Sequence, residues 1–205
     1  MEDLPGLVNN PFQPPPTGSD DPHQGLDLAD RNAAGLAVGG RTVQAVLSGE
    51  VAAVIEDRFP YGNALMLETL LERLPATWVE ALELPAETQP EEIHTNLTCP
   101  PLPEFNSSKA RSLYLLYAHM QAVSERLPGE QVDCGQNLGT VGNSGNSINP
   151  HLHIEVRLGP SGARFESLAH YDASASEVEM SNYCAWRVSG IFALVDPMKV
   201  LTISP

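Results

Sequence analysis

The sequence predicts a mainly β fold built on an antiparallel sheet. Its 18 prolines and 16 glycines among 205 residues are typical of a turn-rich chain with short secondary-structure elements. Short runs of branched and aromatic residues alternate with tight turns, a pattern that favours antiparallel strands over a helical bundle. The length suits one domain with insertions on a modest core, so a single domain is expected over residues 1–205.

The N-terminal part of the chain is predicted to run from an extended segment into three strands. Residues 1–22 contain Pro11, a run of three prolines and an Asp-Asp-Pro turn, a composition that excludes a helix or a central strand. Residues 42–47 and 51–55 flank a Ser-Gly turn and are predicted to form a β-hairpin. A third strand is predicted over residues 64–70, after a Tyr-Gly-Asn turn.

Two segments are interpreted as insertions. Residues 75–110 hold six prolines and scattered glutamates, which indicates an inserted surface loop, and residues 158–189 form a second insertion. Trp78 and Trp186 are expected to anchor these insertions to the core, although they could instead line a substrate groove. His94 and His170 are expected at the surface rather than as metal ligands.

The second half of the chain supplies the remaining strands. Residues 112–119 are rich in branched and aromatic side chains, which suits a buried strand better than a helix. Further strands are predicted over residues 137–141 and 151–157, which are joined by a turn rich in glycine and serine. Residues 191–201 are expected to close the fold.

The charge balance limits the classes of partner. The formal net charge is −15, from 26 acidic and 11 basic residues, so phosphate backbones are repelled and no nucleic acid is expected as a partner. No apolar run approaches the roughly 20 residues that cross a bilayer, so no membrane span is expected. Residues 1–3 lack the basic and apolar regions of a secretory signal, so export would need a signal that this sequence does not contain.

Three cysteines leave the redox compartment open. Cys99, Cys134 and Cys184 are too widely spaced for a zinc knuckle. Any single disulfide among them leaves one thiol over, and the spacing does not choose among the three pairings.

The strand over residues 151–157 carries a candidate site. Alternate side chains of a strand face opposite sides of the sheet, so the polar residues share one face and the apolar residues share the other. The polar face consists of His151, His153, Glu155 and Arg157, opposite Leu152, Ile154 and Val156. An isolated His-x-His of this kind is more often structural than functional. However, His23 and Asp27 offer a second imidazole and a carboxylate four residues apart, and His119 ends another strand.

Three motifs then occur in one order along the chain. They are His-x-Gly-x-Asp at residues 23–27, Leu-Tyr-Ala-His at residues 116–119, and Gly-x-x-Gly-x-Ser-Gly-x-Ser-x-x-Pro-His-Leu-His-x-Glu at residues 139–155. With these motifs the chain resembles the lysostaphin-type (LytM-like) zinc metallopeptidases, which cut peptidoglycan cross-bridges and stem peptides. The resemblance covers roughly residues 20–72, 112–157 and 191–201.

The resemblance implies a site, a fold and a substrate. It implies that His23, Asp27 and His153 ligate zinc, while His119 and His151 are catalytic histidines that do not bind the metal. Two imidazoles and one carboxylate leave a fourth zinc position open, as a catalytic zinc site requires. The implied fold is a lysostaphin-like barrel-sandwich (duplicated hybrid motif) with two loop-rich insertions. The implied substrate is peptidoglycan or another glycine-containing peptide, in the cell envelope or outside the cell.

Several alternatives stay open at this point. The sequence does not decide which of His119 and His151 is the general base. Glu155 is expected to be a solvated surface carboxylate, although it could instead accept a hydrogen bond from a site imidazole and orient that ring. The rival functions are a non-catalytic relative that binds or activates a cell-wall amidase, and a general extracellular peptidase for glycine-rich peptides.

Overall fold

The computed structural model describes residues 4–86, 95–105 and 110–203. Strands dominate these ranges and every strand pairing in them is antiparallel, so the predicted mainly β antiparallel fold is confirmed. In chain order the elements are α1 (Leu4–Leu7), β1 (Val8–Asn10), β2 (Leu26–Leu28), β3 (Asp30–Arg31), β4 (Ala37–Val38), β5 (Thr42–Gln44), β6 (Gly49–Arg58), β7 (Gly62–Leu70), a 3-10 turn (Leu71–Arg73), α2 (Ala76–Ala81), β8 (Arg111–Met120), β9 (Gln131–Val132), β10 (Asn137–Thr140), β11 (Leu152–Pro160), α3 (Glu177–Arg187), β12 (Ala193–Val195) and α4 (Pro197–Thr202).

Eight strands form the main sheet. Their order is β1-β2-β11-β8-β7-β6-β9, and β12 pairs with the same edge of β11 as β2 does, further along the strand. The four longest strands, β6, β7, β8 and β11, have nine or ten residues each and form the centre of the sheet. Two small ribbons, β5–β10 and β3–β4, lie outside it. Within the described ranges the path of the sheet stays open between β1 and β9.

The exclusion of a helix from residues 1–22 is wrong, because Leu4–Leu7 form the single turn of α1. Pro5 lies in this first turn, where the N–H that proline lacks has no partner within a helix. The strand β1 that follows lies at the edge of the sheet, in agreement with the exclusion of a central strand.

The predicted hairpin of residues 42–47 and 51–55 is wrong in its pairing. The strand β5 pairs with β10, whereas β6 pairs with β7 along most of its length. The reason is length, because β6 continues to Arg58 and its ten residues match the nine of β7 rather than the three of β5. The turn between β6 and β7 is closed at Gly62, which has a φ of +67°.

The central strand β8 is buried on both faces. Leu113, Leu115 and Tyr117 point into one apolar core, which they share with residues of β5, β10 and α4. Tyr114, Leu116 and Ala118 point into a second core on the opposite face. This burial on both sides explains why the strand is a nearly continuous apolar run in the sequence.

The second predicted insertion contributes to the second core. Phe165, Leu168, Tyr183 and Trp186 pack in this core against the sheet. The insertion contains α3, an eleven-residue helix that begins with a capping box between Ser176 and Glu179 and that the sequence analysis did not anticipate. This segment therefore covers one face of the main sheet.

The tryptophan and histidine side chains of the two predicted insertions differ in how well they follow the expectations. Trp186 is fully buried and Trp78 packs partly buried against the first core, which confirms both as anchors. His170 was expected at the surface, which is wrong, because it is buried and hydrogen bonds through Nε2 to the Thr98 carbonyl (3.0 Å). His94 and the rest of 87–94 and 106–109 lie outside the described residues.

A disulfide between Cys99 and Cys184 joins the two predicted insertions, and Cys134 is an exposed free thiol. In the part of the chain that the structure describes, the helices are too short or too polar to cross a bilayer.

A cavity made in the first core is expected to lower the free energy of unfolding. Leu67 is fully buried in it, so Leu67→Ala is expected to lower the free energy of unfolding by about 2–5 kcal/mol. Leu36 is 65% exposed, and Leu36→Ala is the matched control, with an expected change within about 0.5 kcal/mol. Urea unfolding followed by circular dichroism measures both, and equal losses would contradict this assignment of the core.

Candidate metal centre

Strand pairing brings the predicted site residues together. In the sheet β11 lies between β2 and β8, with His153 opposite Asp27 on one side and opposite Ala118 on the other. His119 follows Ala118 directly, and His23 precedes Asp27 by four residues. All five predicted site residues, His23, Asp27, His119, His151 and His153, therefore line one cleft.

His23, Asp27 and His153 form a compact set of three possible ligands. Asp27 Oδ1 lies 3.0 Å from His23 Nε2 and 2.8 Å from His153 Nδ1. The two imidazole nitrogens lie 3.1 Å apart. Ligands of a tetrahedral zinc ion, each about 2 Å from the metal, lie about 3.3 Å from one another. The set is therefore close to the size that a small divalent cation requires.

The far nitrogens of His23 and His153 are fixed by acceptors. His23 Nδ1 donates to the Pro11 carbonyl (3.0 Å), and His153 Nε2 donates to Glu155 Oε1 (3.1 Å). A carbonyl or carboxylate oxygen can only accept a hydrogen bond, so the ring nitrogen that faces it must carry the N–H. A neutral imidazole then has its lone pair on the other ring nitrogen. In both residues that lone pair faces Asp27. Three electron-rich atoms then converge, an arrangement that a proton or a cation stabilises, and the donor set fits a metal.

His119 and His151 are oriented in the same way. His119 Nδ1 donates to the Ser144 carbonyl and His151 Nδ1 donates to the Asn149 carbonyl, both at 2.8 Å. The two rings have centroids 4.7 Å apart, and His151 Nε2 lies 3.6 Å from Asp27 Oδ1. Each ring keeps its Nε2 lone pair available for proton transfer beside the three possible ligands.

The backbone at His119 is unusual for a strand. Its φ is +60°, in the left-handed region that residues with a side chain rarely adopt. The backbone N–H of His119 donates to the Tyr61 carbonyl (3.0 Å) and its carbonyl accepts from Gly142 (3.0 Å), so both polar groups stay paired. Non-glycine residues held in this region are concentrated at functional sites.

The protonation states follow from the surroundings. Burial alone would raise the pKa of Asp27, but the imidazoles of His153 and His23, which donate to the carboxylate whenever the facing nitrogen carries a proton, outweigh burial and hold that pKa well below its usual range. Burial, together with the neighbouring His153 and His151, lowers the pKa of His119 to about 3. His119 is therefore neutral at neutral pH. The pKa of His153 shifts in the opposite direction, because its contacts with Asp27 and Glu155 outweigh the effect of burial and raise its pKa to about 8.

Glu155 is the largest departure from the predicted site. It was expected at the surface, which is wrong, because the structure leaves none of it exposed. Its carboxylate accepts hydrogen bonds from Tyr61 Oη and Trp186 Nε1, each at 2.8 Å, and from the guanidinium groups of Arg157 and Arg187. Burial favours the protonated acid, but Arg187 and Arg157 hold the pKa of Glu155 well below its usual range. The physical reason is that α3 covers this face of β11.

Other supporting residues were also missed. Gln24 is fully buried, donates to the Ser19 carbonyl (2.9 Å) and accepts from Arg157 Nη2. It stands inside the His-x-Gly-x-Asp motif, so its position was visible, but its partner lies 133 residues away in the sequence. Tyr61 was visible only as the first residue of the Tyr-Gly-Asn turn, and Arg187 gave no signal that linked it to the histidines.

The rest of the cleft is rich in amides. Apart from the five predicted site residues and Arg187, the residues that line it are Asn9, Asn10, Pro60, Tyr61, Asn146, Ile148 and Asn149. Ile148 is 99% exposed at the rim. Asparagine side chains both donate and accept hydrogen bonds, so this surface can pair with the backbone of a peptide.

Comparison with known proteins agrees with the resemblance drawn from the motifs. Residues 107–165 match the model of peptidase family M23, which confirms that resemblance. The comparison with curated proteins gives no match.

Solved structures that resemble the chain are distant in sequence. The catalytic domain of the antimicrobial peptidase lysostaphin from Staphylococcus simulans has a TM-score of 0.49 and 17% identity, over 98% of this chain and 97% of that one. The catalytic domain of the prophage-encoded M23 protein EnpA from Enterococcus faecalis, a mutant form, has a TM-score of 0.44 and 20% identity, over 77% and 85%. A zinc-containing peptidase from Vibrio cholerae has a TM-score of 0.41 and 19% identity, over 73% of this chain and 32% of that one. The chain also spans less than half of some other matched structures.

Gly25 is expected to control the position of His153. A Cβ at Gly25 would lie 2.5 Å from His153 Cε1 and 2.7 Å from the Ile154 carbonyl, so Gly25→Ala must displace the imidazole or the strand. If the three possible ligands hold zinc, we expect Gly25→Ala to lower the affinity for zinc, measured by competition with a chelating dye, at least about tenfold. Gly35 has a φ of +76° and no atom within 4 Å of its Cβ position, so Gly35→Ala adds backbone strain alone. Equal zinc affinity in both variants would refute the role given to Gly25.

The pKa of His153 predicts how the stability of the metal-free protein depends on pH. Its folded pKa of about 8 lies above the ordinary value of 6.5, so its contribution is complete below pH 6.5 and is lost as the pH rises through 8. Between pH 6.5 and pH 9 the free energy of unfolding is expected to fall by about 2 kcal/mol. Urea unfolding of chelator-treated protein measures this fall. His153→Gln should abolish it, and a fall of the same size in that variant would assign it to another group.

Proposed function

We propose, from the premise that residues 107–165 match peptidase family M23, that the protein is a zinc metalloendopeptidase. Its substrates would be peptide bonds in peptidoglycan cross-links or stem peptides. One observation carries the proposal: two imidazole nitrogens and one carboxylate oxygen lie within 4.8 Å of one another. Two further imidazoles, those of His119 and His151, adjoin this set in the same cleft.

The proposed ligands are His23 Nε2, Asp27 Oδ1 and His153 Nδ1. Two nitrogens and one oxygen suit zinc and leave its fourth position to water or substrate, as in other catalytic zinc sites. When bound there, zinc supplies Lewis-acid polarisation of the scissile carbonyl and lowers the pKa of a bound water to about 7. The hydrogen bonds of His23 to Pro11 and of His153 to Glu155 hold the two ligand nitrogens in place for this role.

His119 and His151 perform the proton transfers in this proposal. One accepts the proton of the attacking water, and the other donates a hydrogen bond to the developing oxyanion or a proton to the leaving amine. The low pKa of His119 keeps its imidazole neutral at neutral pH, so Nε2 carries a lone pair rather than a proton. The carbonyl acceptors of Ser144 and Asn149 support the roles by keeping both Nε2 atoms directed into the cleft.

A neutral peptide backbone suits the proposed binding surface. Asn9, Asn10, Asn146 and Asn149 line the same cleft as the histidines. Asparagine amides can pair with successive C=O and N–H groups of an extended chain that has small side chains. This supports a glycine-containing peptide as substrate. We propose that the protein acts in the cell envelope or outside the cell, where peptidoglycan lies.

The division between ligands and proton-transfer groups is testable by substitution. His119→Ala and His151→Ala are expected to retain zinc near one equivalent and to lower kcat by about 10²–10⁴-fold. His153→Ala is expected to lose both zinc and activity. His170→Gln, a change to a buried histidine outside the cleft, is the control and should retain both. Zinc content by mass spectrometry and release of new amines measure the outcomes. A His153→Ala variant that still holds zinc would contradict the ligand set.

The substrate class needs a separate measurement. Purified peptidoglycan and pentaglycine are offered to the zinc-loaded protein, and new amino termini are quantified. We expect cleavage of at least one of them, with loss of cleavage in His151→Ala. A protein that holds zinc and cuts neither would favour the alternative, a non-catalytic relative that binds or activates a cell-wall amidase.

A further inference from the structure

Arg187 links two carboxylates beside the candidate metal centre. Its Nε donates to Asp20 Oδ1 (2.5 Å), its Nη2 donates to the Asp20 carbonyl (3.1 Å), and its Nη1 donates to Glu155 Oε1. The side chain of Arg187 is 11% exposed, that of Asp20 is 12% exposed and that of Glu155 is fully buried. All three groups are therefore largely withdrawn from water, where charge-assisted hydrogen bonds are strong.

Each carboxylate leads to a proposed zinc ligand. Glu155 Oε1, which accepts from Arg187, also accepts from His153 Nε2 (3.1 Å). Asp20 lies three residues before His23, in the segment that carries this ligand into the cleft. The Asp20 carboxylate is held further by the hydroxyl groups of Tyr171 (2.6 Å) and Tyr183 (2.8 Å). The planar guanidinium of Arg187 is thus connected to both imidazole ligands.

The helix that carries Arg187 is firmly fixed. α3 begins with the capping box of Ser176 and Glu179, and Cys184, three residues before Arg187, is bound to Cys99 by the disulfide. Trp186, next to Arg187, is fully buried and donates to Glu155 Oε2. A helix held at these points can set the place of a side chain near its C-terminal end.

We propose that Arg187 is a positioning residue for the metal centre, acting through Glu155 on His153 and through Asp20 on the His23 segment. The inference rests on the proposed zinc site. Arg187 lies in residues 158–189, outside the three segments that carry the motif resemblance. A guanidinium spans two carboxylates because its donors lie in a rigid fork, whereas the ammonium of lysine is a single point of charge. The charge alone is therefore insufficient, and the shape of the group matters.

The test compares Arg187→Lys with Arg58→Lys. Arg58 Nε pairs with Glu179 Oε1 (2.8 Å), so this control makes the same change at another ion pair between α3 and the sheet. Zinc affinity of the full chain is measured by competition with a chelating dye, and the visible spectrum of Co²⁺ reports the ligand geometry. We expect Arg187→Lys to weaken zinc binding by about 10–100-fold and to change the Co²⁺ spectrum. Arg58→Lys should leave both within about twofold of the parent.

Folding is checked in each metal-free variant by near-ultraviolet circular dichroism and thermal unfolding. Should Arg187→Lys fail to fold, Asp20→Asn tests the other end of the same link, with an expected loss of zinc affinity of about tenfold. Unchanged affinity in a folded Arg187→Lys, or in Asp20→Asn where Arg187→Lys does not fold, overturns the inference. An equal loss in Arg187→Lys and Arg58→Lys also overturns it, because the effect would then come from loosening of α3.

This measurement separates the inference from the proposed function. If the parent protein binds zinc and cuts no peptide, the proposed peptidase activity fails while the role of Arg187 in zinc affinity stands. If the parent binds no zinc, both fail together. If the parent binds zinc and cuts peptide while the folded Arg187→Lys is indistinguishable from it, only the inference fails.

Discussion

The site depends on the position of β11 between β2 and β8. This register sets His153 opposite Asp27 on one side and opposite Ala118 on the other. Because the side chains of a strand alternate, a slip of one residue would turn His153 and Glu155 to the other face, where Ile154 and Val156 now pack in the first core. The burial of those apolar residues therefore fixes the register, and the register fixes the geometry of the histidines. The core and the site are specified by the same strand.

Burial of the charged side chains on the polar face of β11 is costly, and side chains of α3 offset part of this cost. Glu155 and Arg157 are both essentially without solvent exposure, and isolated charges are costly in such surroundings. Arg157 pairs with Glu155, lies 4.8 Å from the ring centroid of Trp186 and donates to Gln24, while Arg187 adds a second cation between Glu155 and Asp20. Two carboxylates and two guanidiniums thus balance in charge. The hydrogen bonds they exchange satisfy the groups that burial removes from water.

The central strands of the sheet could be predicted from the sequence, because alternation marks residues such as 151–157 as a strand. That His23, Asp27, His119, His151 and His153 come together in one cleft was predicted from the resemblance of their motifs to a known family. The partners that orient the imidazoles leave no such signal. Three of them are main-chain carbonyls, those of Pro11, Ser144 and Asn149, and a carbonyl has no residue type to recognise.

Glu155 illustrates a different obstacle to prediction. Its burial depends on α3, whose covering face comes from residues more than twenty positions later in the chain, so the strand alone indicated a solvated carboxylate. The hairpin predicted for residues 42–55 failed for a related reason. Local turn chemistry favoured a pairing of neighbours, but the length of β6 favoured β7 and left β5 to pair with β10. Long-range pairing decided both cases.

The orientation of the four imidazoles divides them by which nitrogen is held. His23, His119 and His151 are each held at Nδ1 by a carbonyl, while His153 is held at Nε2 by a carboxylate. A carboxylate is the stronger acceptor and raises the basicity of the opposite nitrogen, so His153 has the most electron-rich nitrogen facing Asp27 and His23. The same contact makes His153 the imidazole that holds a proton most firmly without a metal, with a pKa near 8, whereas the buried His119 stays neutral. One cleft thus contains an imidazole suited to a cation and another that stays neutral, and burial together with a single carboxylate accounts for the difference.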